Sequence, residues 1–285
     1  MIPVSNQSLP GPTPFALSQI TGTQTLVHQI DLATYEQFRQ ANDPQFFFRN
    51  LTEHFRQQGR LVIHLWDDVA RAKPDVVTSR LRALAGDSVR VPARLTKARR
   101  IDKPTAMVFL DQNHLQVAMA SKYKYGLWLP KRYFRVLPPD FLDPQTAIAD
   151  ELLVAVATFS QPRTIPRDGR PFRSYELVRF ANRLNCTVVG GFDKLLKAFA
   201  TEHHPDDVMT YADRDWSDGR SYERLGFERI GETDPQLFWL DPQTNVRHYP
   251  HRINDTTDLT PIWNAGSIKF VKRFVGADPR VCPLH

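Results

Sequence analysis

Cysteine is scarce in this 285-residue chain: there are two, Cys186 and Cys282, far apart and in no C-x-x-C spacing. That excludes a disulfide framework and a zinc knuckle and points to a reducing compartment. Long apolar runs are missing too. Nowhere do about 18 apolar residues follow one another, so no membrane-spanning helix is expected. The opening text, MIPVSNQSLPGPTPF, lacks the basic start and apolar core of a secretory signal. The sequence therefore reads as soluble and cytoplasmic, with no membrane partner. Also absent are the G-x-x-x-x-G-K of a phosphate-binding loop, the G-x-S-x-G of a nucleophile elbow, and any internal repeat. His203, His204, Asp206 and Asp207 are metal-type residues without ligand spacing, so they read as a solvated turn and no metal is expected.

What is present is an ordinary globular composition, 41% hydrophobic, with a formal charge of +6. A chain of this length buries a good core in one large or two modest domains. Its basic balance permits a polyanionic partner, DNA, tRNA or a CoA-like cofactor, without demanding one. Residues 1–25 are rich in Pro, Ser, Thr and Gln and read as an irregular leader. Asp43-Pro44 reads as a helix start, and Phe47, Leu51 and Phe55 recur on one face. The run LVIHLW over 61–66 reads as a buried strand, and 74–85 as a helix closed by Gly86. Arg90, Arg94, Lys97, Arg99 and Arg100 are spaced to track phosphates, or else form a solvated strand or loop. A helix over 104–113, a strand over 124–129, a loop over 131–146 and a buried strand over 151–159 follow. Residues 161–173 read as an arginine-bearing loop.

The stretch 174–227 organises the rest. A strand over 175–180 is followed by Gly190-Gly191 and a helix with Phe192, Leu195, Leu196 and Phe199 on its apolar face. Paired glycines before a helix bring backbone amides and the positive end of the helix dipole toward an anion, with phosphate the natural guest. A strand over 208–212, a polar turn and a helix carrying Tyr222, closed by Gly226, complete the stretch.

Strand, glycine turn, helix, strand and then Tyr222-Glu223-Arg224-Leu225-Gly226-Phe227 resemble the acyl-CoA-dependent N-acyltransferases of the GNAT superfamily. The finer text, GGFDKLLKAF and YADRDWSDGRSYERLGF, is similar to acyltransferase-like modules of phage and bacterial proteins, some joined to nuclease domains and some akin to Mom proteins that modify DNA. The likeness runs from Phe109 to Leu240, about half the chain. It implies an α/β fold with a GNAT-like mixed twisted sheet, flanking helices and a smaller N-terminal helix–strand–helix domain. The implied domains are a leader over 1–25, that small domain over 26–103, the acyltransferase domain over 104–242 and a basic arm over 243–285. QQGRLVIHLWDD resembles the tail of the associated nuclease domains, but an acidic strand with E-x-K is missing, so no cleavage is expected.

The resemblance also implies roles. The turn Val189, Gly190, Gly191, Phe192, Asp193 and Lys194 would hold acetyl-CoA or another acyl-CoA, and Tyr222 would protonate the departing thiolate. The superfamily's turn usually reads R/Q-x-x-G-x-G/A, where this chain has Thr187, Gly190 and Phe192. A bulky Phe192 is expected to crowd the pyrophosphate, which keeps open another acyl carrier such as aminoacyl-tRNA. Glu176 is the expected base; its neighbours point to the other face, so it shares a face with Val178 and Phe180. The alternative is a carboxylate paired to Arg179 or a loop arginine. Asp213 and Arg214 are candidates to orient an amine acceptor, with Trp216 to stack on a base or acyl group; caps formed by Asp213, Ser217 and Asp218 are the alternative. His114 is a candidate substrate contact or a structural hydrogen-bonder. The expected activity is acyl transfer to an amine of unknown identity. The alternative is a nucleic-acid-binding or nucleobase- or tRNA-modifying protein of Mom-like type with a degenerate CoA site.

Overall fold

The computed structural model describes residue 4 and residues 9–167 and 169–274. Cys282 and the end of the basic arm lie outside the described residues. In chain order the elements are β1 (Ala16–Gln19), β2 (Thr25–Ile30), α1 (Leu32–Ala41), α2 (Phe47–Gln57), β3 (Leu61–Trp66), α3 (Asp67–Ala72), α4 (Pro74–Leu84), β4 (Val89–Pro92), β5 (Lys97–Arg100), α5 (Lys103–Asn113), β6 (Tyr123–Pro130), α6 (Pro144–Ile148), β7 (Glu151–Phe159), β8 (Arg163–Arg167), β9 (Arg170–Asn182), β10 (Cys186–Val189), α7 (Gly191–His203), β11 (Asp207–Asp213), α8 (Arg220–Glu223), β12 (Glu228–Glu232), β13 (Leu237–Asp241), β14 (Val246–His248), β15 (Thr260–Trp263) and β16 (Ser267–Arg273). No helix among the described residues is long and apolar enough to cross a membrane.

The chain is a mixed α/β protein and divides into two compact units. The first comprises 1–86, 211–224 and 229–270. Its three-stranded sheet has the order β1-β2-β3, with β2 parallel to β3. β1 falls inside the stretch expected to be irregular, because Phe15 and Leu17, two residues apart and so on one side of an extended chain, are both buried. Helix α2 buries Phe48, Leu51 and Phe55. It begins at Phe47 and not at Pro44, because the Asp43 carboxylate accepts from Gln45 N at 3.0 Å and is spent on a turn before the helix. The aromatic core joins Phe15, Tyr35, Phe48 and Trp66 to Leu240 and Ile262. A second antiparallel sheet of order β14-β13-β15 carries the last two.

The second unit comprises 87–210, 225–228 and 271–285. Its sheet runs β11-β9-β7-β6-β5. β7, an apolar run in sequence, is central and covered on both faces. Phe159 stacks on Phe199 of α7 with ring centres 3.9 Å apart, and Val156 packs among Ala106, Phe109 and Leu110 of α5. The expected arginine loop is instead a hairpin, β8 against β9, with Arg163 opposite Ser174 and Arg167 opposite Arg170.

Candidate active site

The glycine turn is built as a strand-to-helix joint. β10 leads into Gly190, whose φ of 78° is left-handed and suits glycine. Gly191 answers a second demand. A Cβ there would lie 2.8 Å from Val188 Cβ and 3.2 Å from Leu127 Cδ1, so α7 starts in direct contact with the sheet. No side chain caps α7, and the amides of its first turn have no intrahelical acceptor by construction. Val189, just before the turn, is exposed. Asp193 pairs with Lys197 Nζ at 2.7 Å.

Two residues of this turn differ from expectation. Phe192 does not lie over the amides. Its ring is buried between Phe180 at 5.1 Å and Phe227 at 6.0 Å, because it is the first residue of the apolar face of α7. Lys194 extends to the carbonyls of Ala93, at 3.0 Å, and Thr96, and burial lowers its pKa. It fastens the segment after β4, which pairs in parallel with β10. That segment holds part of the basic stretch. Arg90, Arg94 and Lys97 are exposed, whereas Arg99 pairs with Glu151 and Arg100 with Glu202 at 2.7 Å.

β9 and β11 pair in parallel over three residues only, Ser174–Glu176 with Asp207–Met209. Past that point the Thr210 hydroxyl, not a ladder amide, reaches the Leu177 carbonyl at 3.1 Å. The register between β7 and β9 shifts at the same level: Thr158 faces Arg179, and Phe159 faces Leu177. Val178 is therefore an extra residue, a β-bulge. The bulge changes the reading of Glu176. Tyr175 and Leu177 are buried toward α7, so Glu176 projects from the opposite face, and Phe180 returns to the α7 side. Glu176 and Phe180 do not share a face, as strict alternation had implied. The backbone of Glu176 is fixed by Ser160, whose N–H and hydroxyl meet Glu176 O and N, each at 2.9 Å.

His114 ends α5, and its Nδ1 accepts from Gln116 N at 3.1 Å, which ties the following turn. In the first unit, the turn after β11 is tied by the bonds read as the alternative. Asp213 Oδ1 accepts from Asp215 N at 3.0 Å, Ser217 Oγ from Gly219 N at 3.1 Å and Asp218 Oδ1 from Arg220 N at 3.1 Å. Arg214 is 2% exposed and held by Glu53 and, at 2.6 Å, Glu232. Trp216 is also buried, with the Arg80 guanidinium 5.4 Å above its ring. Their contacts are thus structural, an outcome that an RDW triplet in a polar turn does not announce. Tyr222 is half-buried on α8 with its ring 5.5 Å from Phe270. The first unit also buries a polar line. His28 Nδ1 meets His64 Nδ1 at 2.9 Å, and the outer nitrogens meet Thr13 Oγ1 at 2.7 Å and Thr52 Oγ1 at 2.8 Å. Asp215, distant in sequence, adjoins this line in the fold, its carbonyl accepting from His64 N at 2.8 Å and its carboxyl from Ala265 N at 2.8 Å.

No protein-family model and no curated protein matches this sequence. Among solved structures the chain is similar to an acetyltransferase of Bacillus subtilis in complex with CoA, at 12% identity and a TM-score of 0.37, over 63% of this chain and 99% of that one. It is also similar to a histone acetyltransferase HPA2 and related acetyltransferase from Corynebacterium glutamicum, at 13% identity and a TM-score of 0.33, over 62% and 96%. A further similarity is to FeeM, an N-acyl amino acid synthase from uncultured soil microbes, at 16% identity and a TM-score of 0.27, over 73% and 89%.

Proposed function

We propose that this chain transfers an acyl group from acyl-CoA to an amine. The observation that carries the reading is the early end of the β9–β11 pairing, after Glu176 and Met209, on the strand that bulges at Val178 and then leads to the Gly190 turn. An edge freed from its neighbour offers backbone groups to an extended amide-bearing arm. The first turn of α7 offers amides and a positive dipole end to the phosphates. With the Phe192 ring turned inward, backbone approach at this turn is not crowded.

In the reaction the amine nitrogen attacks the thioester carbon, the C–N bond forms and the C–S bond breaks. Glu176 takes the proton that the nitrogen loses, directly or through water. The departing thiolate takes a proton, for which the sequence resemblance supplies Tyr222. The test is isothermal titration of the full chain with acetyl-CoA. Saturable one-site binding, weakened by Gly191→Ala, is expected; no heat at millimolar CoA would sink the donor site.

A further inference from the structure

On the sheet face opposite α7, three strands of the second unit set one cross-strand row. Lys124 of β6 faces Thr158 of β7, which in turn faces Arg179 of β9. Directly opposed residues of antiparallel strands project from the same face. Tyr123 and Tyr125, which flank Lys124, stack toward Phe199 on the α7 side, which confirms that Lys124 points the other way. The next row toward α5, Gly126, Val156 and Ala181, is apolar and packs on Phe109 and Leu110. The row beyond, on the other side, holds Ser160 and Glu176.

A segment without regular structure, residues 114–122, follows α5 and is tied down by the two cations of the row. Arg179 Nη2 donates to Val117 O at 3.5 Å and lies 3.4 Å from Met119 Sδ; Lys124 Nζ donates to Ser121 O at 2.9 Å and Lys122 O at 3.2 Å. Ala118 packs on the apolar row, while Val117 and Met119 are exposed. Between the cations Thr158 is 1% exposed, and its hydroxyl has no hydrogen-bond partner. A buried hydroxyl left unpaired calls for an explanation. No packing demand supplies one, since valine has the same shape.

The geometry points to a carboxylate subsite formed by Lys124, Thr158 and Arg179, covered by residues 114–122 and serving an acceptor that carries both an amine and a carboxylate. The ligand exchanges the neutral carbonyls that Lys124 Nζ meets for a charged acceptor, and hydrogen bonds to an ionised group are about twice as strong as neutral ones. It also gives the Thr158 hydroxyl an acceptor. The row of Glu176 lies about 7 Å further along the strands. An amino acid held by its carboxylate in the Thr158 row therefore directs its amine toward Glu176. The fate of that amine rests on the acyl-transfer reading; the subsite itself does not.

The test uses the full chain, N-acetylglycine and its uncharged counterpart N-acetylglycinamide, titrated by NMR without CoA. The acid is expected to bind and the amide not. Thr158→Val, which keeps shape and removes the hydroxyl, weakens acid binding about tenfold, the worth of one such bond. Lys124→Ala weakens it further, and circular dichroism verifies that both variants are folded. Equal binding of acid and amide, or binding of neither at 50-fold molar excess (on the order of 10 mM), overturns the subsite. CoA titrated in parallel separates the two ideas: acid binding without CoA binding leaves the subsite and removes the donor, and the converse does the reverse.

Discussion

Glu176 and Phe180 stand on opposite faces of β9, although four residues of regular strand would put them on the same one. The extra residue at Val178 separates a half-buried carboxylate on the face opposite α7 from an aromatic ring packed under α7. A base in that position predicts a specific loss. Glu176→Gln is expected to lower kcat by about 10²–10⁴, the usual worth of a positioned base, with CoA affinity unchanged. Tyr222→Phe is expected to lower kcat by at least about 10² if the phenol is the acid. Steady-state rates with acetyl-CoA and an amine panel measure both, and unchanged turnover in either variant removes that residue from the chemistry.

Gly191 is more demanding than Gly190. Alanine at Gly191 meets Val188 at under 3 Å, and the Val188 Cβ is fixed to the backbone and cannot rotate away. Gly191→Ala is expected to cost about 1–3 kcal/mol by overpacking, and to push α7 off the sheet. At Gly190 the added Cβ has room, 3.7 Å from Ala93, so Gly190→Ala carries only the left-handed penalty of about 1 kcal/mol. Urea unfolding of both variants orders them, and the reverse order would contradict the close approach of α7.

Much of this was legible in the sequence because it follows period. The buried run of β7, the apolar face of α7 and the strand–turn–helix order each come from local spacing. The bulge at Val178 was not legible. It arises from pairing across β7, and no residue in Leu177-Val178-Arg179 marks it. The parallel contact of β4 with β10 was equally hidden, since nearly a hundred residues separate the partners, as with Ser88 and Thr187 at |i−j| = 99. Arg214 looked like a binding residue because charge in a turn usually meets water. Its burial depends on Glu53 and Glu232, which sequence distance conceals. Thr158 did leave a trace, as the polar residue near the end of ELLVAVATF.

Thr158 also predicts an effect on stability. A buried hydroxyl without a partner costs about 1–3 kcal/mol, and valine removes it without leaving a cavity. Thr158→Val is therefore expected to raise the unfolding free energy by about 1–2 kcal/mol in the ligand-free protein. Chemical denaturation checks this. A destabilised variant would mean that the hydroxyl has a partner in solution.

The buried polar line of the first unit sets a pH dependence. Burial lowers the His28 pKa to about 3, and burial with the neighbouring His28 lowers that of His64 as well. Both bind protons near pH 6.5 when unfolded and resist them when folded, so stability falls as pH drops below 6.5 toward 3. Asp215 acts in the opposite sense. Burial, and then the charge of Asp213, raise it to about 8. It stays protonated in the fold after the unfolded chain has ionised near pH 4, so its contribution is present below pH 4 and is lost as pH rises toward 8. Two histidines outweigh one carboxyl on the acid side, and the Asp215 carboxyl dominates between pH 6.5 and 8, above which the Cys186 thiol, pushed up to about 12 by burial, adds in the same sense. Stability is therefore expected to peak near pH 6.5 and to fall by about 1.4 kcal/mol per pH unit at most on the alkaline side. Thermal unfolding from pH 4 to 9 measures the curve. Asp215→Asn removes the ionisable group and should flatten the limb between pH 6.5 and 8 while leaving the acid limb in place; a variant whose alkaline limb persists would assign that limb to another residue.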